Sequence, residues 1–275
     1  MRILRVFQER TPLTPNDNFV RIGQPTLFDP IPDIDEVHVS CVFIWNRKAC
    51  EGFVVAYQNV YDVPVRIGGP GLLTNAEDFI PGRYISKDVV FFTRGCPGNC
   101  RFCIVPKIEG RKIRELEPRG EGNIVQDNNI FAASRSHFEK VIAFLRGRRN
   151  IQFKGGLDAA RLKDYHIEGF RSLNIKELWF ACDSDSRLKI AEKAIRKVRK
   201  AGFTRHQVRA YCLIGFEGTI EENRERCQRI VDAGADTFAM LYQPIEGKPI
   251  VHSREWKNLQ RHYSRPALYR TKKGK

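Results

Sequence analysis

Glu177-Leu178-Trp179-Phe180-Ala181-Cys182 is a largely apolar run, and Asp183-Ser184-Asp185-Ser186-Arg187 separates it from a different pattern. Past that break, Leu188, Ala191, Ile195 and Val198 recur at the helical period, backed by Lys189, Lys193, Lys197 and Lys200. The first segment reads as a buried strand and the second as an amphipathic helix laid against a sheet. The chain repeats this unit. Candidate strands occupy 88–93, 123–125, 151–154, 177–182, 207–214 and 237–241. Between them, Ser136 with Glu139 predicts a capping box ahead of Phe138, Val141, Ile142 and Leu145. Thr219 with Glu222 repeats the device ahead of Cys227, Ile230 and Val231. Such a series implies an α/β fold, a parallel sheet with helices outside, either open or curled into a barrel. Six units are too few to close an eight-stranded barrel, so the expectation is a partial (β/α)6 barrel.

Upstream the pattern changes. Residues 36–45 read as an apolar strand, 47–61 as a helix and 63–67 as a second strand running into Gly68-Gly69-Pro70-Gly71. Those glycines could approach a phosphate, but they match no dinucleotide fingerprint, and a tight turn is the plainer reading. The expected organisation is a small α/β region over 1–84, the strand–helix core over 85–250, and a basic helix and tail over 251–275.

Composition sets limits on function. At 275 residues, 42% hydrophobic and 29% charged, the chain has an ordinary globular balance and enough length for one large domain or two modest ones. No run approaches the roughly 20 apolar residues of a membrane helix, and the first residues lack a signal-peptide core, so a cytoplasmic setting without membrane is expected. Eight irregularly spaced cysteines in such a setting argue against a disulfide framework. Cys182, Cys212 and Cys227 fall in apolar positions and read as buried core residues. The net charge is +15, and residues 251–275 carry eight Lys/Arg against the single Glu255. With Trp256, Tyr263 and Tyr269 interleaved, that segment could hold nucleic acid; a solvated surface helix is the alternative.

The chemistry concentrates after the first core strand, in Thr93-Arg94-Gly95-Cys96-Pro97-Gly98-Asn99-Cys100-Arg101-Phe102-Cys103-Ile104-Val105-Pro106. The C-x3-C-x2-C spacing supplies three thiolates to one centre. A structural zinc site wants four closed ligands, whereas a cubane iron–sulfur cluster on three cysteines keeps one iron open. No convincing fourth ligand stands nearby, since the next histidine is His137. In βα folds ligands gather at the carboxyl ends of the strands, which is where this loop falls.

At these residues the chain resembles the radical SAM superfamily, whose main signature is C-x3-C-x2-C with an aromatic before the last cysteine. The resemblance spans about 85–245. It implies a partial barrel of radical SAM type, with a 4Fe-4S cluster held by Cys96, Cys100 and Cys103. It also implies S-adenosylmethionine (SAM) bound at the open iron, reductive cleavage to a 5′-deoxyadenosyl radical, and an external flavodoxin- or ferredoxin-like electron donor. Carried over residue by residue, it puts SAM near Phe102, Asp127, Asp183, Ser184 and Gly215. Gln126-Asp127-Asn128-Asn129 stands where relatives have a glycine-rich segment, and Asp183 with Ser184 reads equally as a helix cap. Asp158 and Arg161, three apart after Gly155-Gly156-Leu157, are either a polar pair in the reaction cavity or a capping pair outside it; Tyr242 is assigned to the substrate side. The loop is most similar to those of methylthiotransferases, which carry a second cluster on three N-terminal cysteines; only Cys41 and Cys50 stand upstream here. The rival from another class is a non-enzymatic metal-containing nucleic-acid-binding protein.

Overall fold

The computed structural model describes residues 1–27, 33–74 and 80–270. The chain divides into two compact units: residues 1–89 with 104–110 and 120–122, and residues 90–103 and 111–119 with everything from 123 onward.

The first unit contains β1 (Ile3–Phe7), β2 (Val20–Ile22), β3 (Glu36–Ser40), α1 (Arg47–Gln58) and β4 (Val65–Gly68). Its sheet has the order β2-β1-β3-β4, every pair parallel. Leu4, Val6, Val37 and Val39 pack with Phe53 and Tyr57 of α1. The strand expected over 36–45 stops at Ser40, because Cys41 bonds back to the loop after β4 and residues 44–46 form a 3-10 turn. β1 and β2 were not expected. A side chain at Gly71 would lie 2.6 Å from the Cys41 sulfur, so the glycine turn is packed on its own sheet, as a tight turn requires.

The rest of the chain runs β5 (Val89–Val90), β6 (Thr93–Arg94), α2 (Val105–Ile108), β7 (Arg114–Glu115), β8 (Ile124–Val125), α3 (Arg135–Leu145), β9 (Ile151–Leu157), α4 (Asp164–Arg171), β10 (Ile175–Ala181), α5 (Asp185–Lys200), β11 (Val208–Ile214), α6 (Ile220–Ala233), β12 (Asp236–Leu241), α7 (Arg254–Tyr263) and α8 (Pro266–Arg270). Of these, α2 clusters with the first unit. The large sheet has the order β5-β8-β9-β10-β11-β12, which follows the chain without reversal. The pairs from β8 to β12 are parallel. The fold is therefore α/β with parallel sheets.

Two local expectations shift. The strand expected over 88–93 breaks in two, because Asp127 Oδ1 accepts the Phe92 and Thr93 amides at 2.6 and 2.8 Å and takes them off the ladder. Thr93–Arg94 pairs instead with Arg114–Glu115, antiparallel. The cap of α3 is Ser134, whose hydroxyl accepts from the His137 amide, while Glu139 pairs with Arg135. The Thr219–Glu222 capping box forms as expected.

Strand alternation sorts the large sheet's side chains. Leu178, Phe180, Ala210, Cys212 and Ile214 enter one core with Phe138, Leu188, Ile195, Cys227 and Ile230 of the helices. The intervening Trp179 and Tyr211 stack, Phe238 meets both edge-on, and Lys154 and Arg209 lie over the Trp179 ring. The aromatics of the C-terminal segment pack inward to different degrees. Tyr263 is buried, Trp256 and Tyr269 pack on the same core, and Arg270 pairs with the buried Asp236. The last lysines lie outside the described residues. Among the described residues, no helix is long and apolar enough to cross a membrane.

Candidate metal centre

The cysteine loop leaves β6 at Arg94. Cys96 and Cys103 are half-buried and Cys100 is exposed, and none is in a disulfide. The Cys103 amide bonds to the Cys100 carbonyl and tightens the second half of the loop. In the first half the Gly98 amide donates to Cys96 Sγ at 3.4 Å. A Cβ at Gly98 would stand 3.3 Å from Cys96 Sγ and 3.8 Å from Cys100 Sγ, so a side chain there would fill the space beside both sulfurs. Among the described residues, no three His, Cys, Asp or Glu side chains already converge as a finished ligand set.

Polar groups from the carboxyl ends of the neighbouring strands surround this loop. Asn129 donates through Nδ2 to Cys96 Sγ at 3.5 Å and to Asp158 Oδ2 at 3.3 Å, while its buried Oδ1 has no partner. Asp158 also accepts from the Ala160 amide and pairs with Arg161 at 3.3 Å and Arg187 at 3.8 Å. Asp158 caps a short helical turn, and the Asp158–Arg161 pair belongs to this polar network. Burial pushes the Cys100 thiol up, the negative potential of Asp183 and Cys96 adds to this, and Arg187 opposes it. Asp183 accepts the Leu213 amide at 3.1 Å. Burial raises its carboxyl to about 6, against the pull of that bond and of Arg226. Ser184 is the N-cap residue of α5, but its hydroxyl bonds to the Ser186 hydroxyl and caps no backbone amide.

Asp127 is buried deeper. With Oδ1 committed to the two backbone amides, Oδ2 is buried without a partner, and burial lifts the carboxyl to about 7. Beside it, a Cβ at Gly155 would collide with the Asp127 backbone at 1.8 Å, so only glycine lets β9 approach this closely. On the other flank an aromatic chain links Phe102 to Phe216 and Phe216 to Tyr242, with centroids 5.4 and 4.7 Å apart. Arg101 lies over Phe216 and pairs with Glu217. Gly215, with φ of +75°, sits under His252, whose Nε2 bonds to the Tyr242 carbonyl.

Around the loop, then, stand Phe102, Asp158, Arg161, Asp183 and, through Phe216, Tyr242. Sequence reasoning missed Arg187 and His252, and it did not single out Asn129. Asn129 lay within the tetrapeptide singled out at 126–129, but no local pattern says which of its four side chains turns toward the sulfur. No protein-family model matches this sequence, and no curated protein does.

Proposed function

We propose that the chain is a radical SAM enzyme, its large sheet a partial (β/α)6 barrel, with Cys96, Cys100 and Cys103 as the ligands of a 4Fe-4S cluster. The observation that carries this reading is Gly98 seated between the Cys96 and Cys100 sulfurs, on a three-cysteine loop ringed by Asn129, Asp158 and Asp183. The thiol donor set and the space kept open by Gly98 fit such a group. When bound, the cluster would supply reductive cleavage of SAM and a 5′-deoxyadenosyl radical that takes a hydrogen atom from the substrate. A flavodoxin- or ferredoxin-like protein would deliver the electron in the cytoplasm.

The chain's own residues divide the remaining work. Asn129 holds Cys96 through an N–H···S bond, which sets how much negative charge that sulfur carries. Asp158 and Asp183 supply negative charge for the amino and sulfonium groups of SAM, and Arg161 and Arg187 supply positive charge for its carboxylate. Phe102 and Phe216 exclude water from the reacting centre. Ser184 and Gly215 offer a hydroxyl and an open backbone to the nucleoside, and Tyr242 faces the substrate. Asp127 acts through the backbone it holds, as a positioning residue.

Charge alone links the substrate to nucleic acid. A methylthiotransferase is not favoured, because Cys41 and Cys50 are both buried in their own core. The test is anaerobic reconstitution with iron and sulfide, then reduction in the presence of SAM. Brown protein that releases 5′-deoxyadenosine supports the proposal. Colourless protein that binds zinc and leaves SAM intact would return the chain to the class of metal-containing nucleic-acid-binding proteins.

A further inference from the structure

The N-terminal sheet carries a hydrogen-bonded relay that the proposed radical chemistry does not use. Glu36 and His38 are two apart on β3 and share a face, and His38 is in register with Arg66 on β4. His38 Nε2 is 2.6 Å from Glu36 Oε2, and Arg66 donates to the other carboxylate oxygen at 3.0 Å. His38 Nδ1 is 2.5 Å from the Tyr84 hydroxyl. The partners assign the tautomer: Nε2–H donates to the carboxylate, which leaves the Nδ1 lone pair for the phenol proton. The His38 bond, with Arg66 assisting, holds Glu36 below the usual carboxylate range, so the orienting charge is permanent at neutral pH. The His38 and Glu36 side chains are 18% and 15% exposed, enough to shield the relay without sealing it.

Arg83 and Arg5 lie near enough to act on the phenol electrostatically, Arg5 being also paired with Asp17. Arg5 is 8% exposed, and its guanidinium donates to the Gly82 and Arg83 carbonyls at 3.0 and 2.8 Å, directly before Tyr84. Its Nε is buried without a partner. Burial holds the Tyr84 phenol protonated at rest, while Arg83 and Arg5 pull the other way and favour the phenolate. A nucleophile, a base in contact with it and a carboxylate that orients the base form the general arrangement for nucleophilic catalysis.

We propose that Tyr84 is a nucleophile with His38 as its base and Glu36 as the orienting group, in a second reactive site that takes an anionic phosphoryl electrophile. In the step, the Tyr84 oxygen forms a bond to phosphorus as the bond to the leaving group breaks. The phenol proton passes to His38 Nδ1, and the leaving group departs with its electron pair. Tetrahedral phosphorus with charged oxygens suits the arginine-rich surround better than a neutral carbonyl does.

The test treats the full chain with a fluorescent fluorophosphonate, which loses fluoride on attack, and maps the labelled peptide. The label is expected on Tyr84 in preference to the other seven tyrosines, and to vanish in Tyr84→Phe. His38→Gln should slow labelling by on the order of 100-fold, as loss of a general base does. Glu36→Gln, nearly isosteric, should slow it less and keeps the test alive if the histidine variant does not fold. Cys96→Ala should label at the wild-type rate, so failure of the cluster reading would leave this result standing. Labelling spread evenly over tyrosines, or unchanged in both relay variants, overturns the proposal. Two further arms, nucleoside triphosphate labelled with 32P at the α-phosphate and an oligonucleotide with internal 32P, separate a free nucleotide donor from a phosphodiester strand. Transfer from neither overturns the phosphoryl assignment.

Discussion

The second unit holds two groups of three cysteines, and they differ in almost everything except number. Cys96, Cys100 and Cys103 lie on one short loop, reachable from solvent, with a glycine between two of the sulfurs. Cys182, just past the end of β10, Cys212 of β11 and Cys227 of α6 are fully buried. Hydrogen bonding with Cys182 and with Cys227, reinforced by burial, pushes the Cys212 thiol well above its ordinary range. In both groups at least two sulfurs lie close enough to act on one another electrostatically. Only the first can be reached by an incoming cation, and only the first is ringed by Asn129, Asp158 and Asp183. Proximity of thiols therefore does not define a metal site; solvent access and polar surroundings do.

The largest expected break between the groups is in metal content. Cys96→Ala should lose bound iron and SAM cleavage altogether, whereas Cys212→Ala should keep both and lose about 1–2 kcal/mol of stability from the core. Iron retained in the first variant and lost in the second would invert the assignment. Native-state alkylation should separate the groups by at least ~100-fold in rate, because the core thiols react only after opening of the structure. Mass spectrometry of timed aliquots reads this directly. Gly98→Val should lower iron occupancy several-fold with little change in melting temperature, since its side chain would enter the space beside Cys96 and Cys100 while leaving the sheet untouched.

Asp127 gives a smaller and pH-dependent effect. Its carboxyl titrates near 7 in the fold against an ordinary 3.8, so the folded chain binds a proton that the unfolded chain has released throughout that interval. Stability from this group is greatest below about 4 and falls as pH rises to about 7, where a buried charge must be tolerated. Asp127→Asn keeps an oxygen for the Phe92 and Thr93 amides. It should therefore be more stable than the parent at pH 8 by on the order of 1–3 kcal/mol, with the gain vanishing near pH 4. A melting series at both pH values checks it. Last, Asn129→Ala should leave iron content near normal and shift the cluster's midpoint potential downward, because one N–H···S bond is gone. An unchanged potential would remove Asn129 from the loop's chemistry.

Legibility followed locality. The strand–helix unit over 177–200 could be read because each face repeats within a few residues, and the Thr219–Glu222 box because both partners lie within one turn. β1 was missed because Arg5 interrupts Ile3-Leu4-Arg5-Val6-Phe7; its guanidinium is satisfied by Asp17 and by carbonyls of Gly82 and Arg83 far along the chain. The cysteine loop announced itself by spacing, but its surroundings did not. Asp127 looked like the ligand-facing member of its tetrapeptide, yet one of its oxygens is spent on backbone amides, and Asn129 is the residue that reaches Cys96. Charge counting did not reveal how the C-terminal segment packs. Leu259 and Tyr263, four apart and buried, make α7 part of the core, so truncation after Ile250 would unfold this region rather than free a tail.

The uninterrupted order of the large sheet is also an order of assembly. Each strand from β9 onward pairs with the one made just before it, so every new strand–helix unit finds its neighbour already in place as the chain leaves the ribosome. The N-terminal sheet has a different schedule. Its four strands are synthesised within the first 68 residues, but the unit also gathers residues 104–110 and 120–122, which appear only after the cysteine loop has been made. During synthesis the two modules thus mature in overlapping windows, with the sulfur-bearing loop emerging before either is complete.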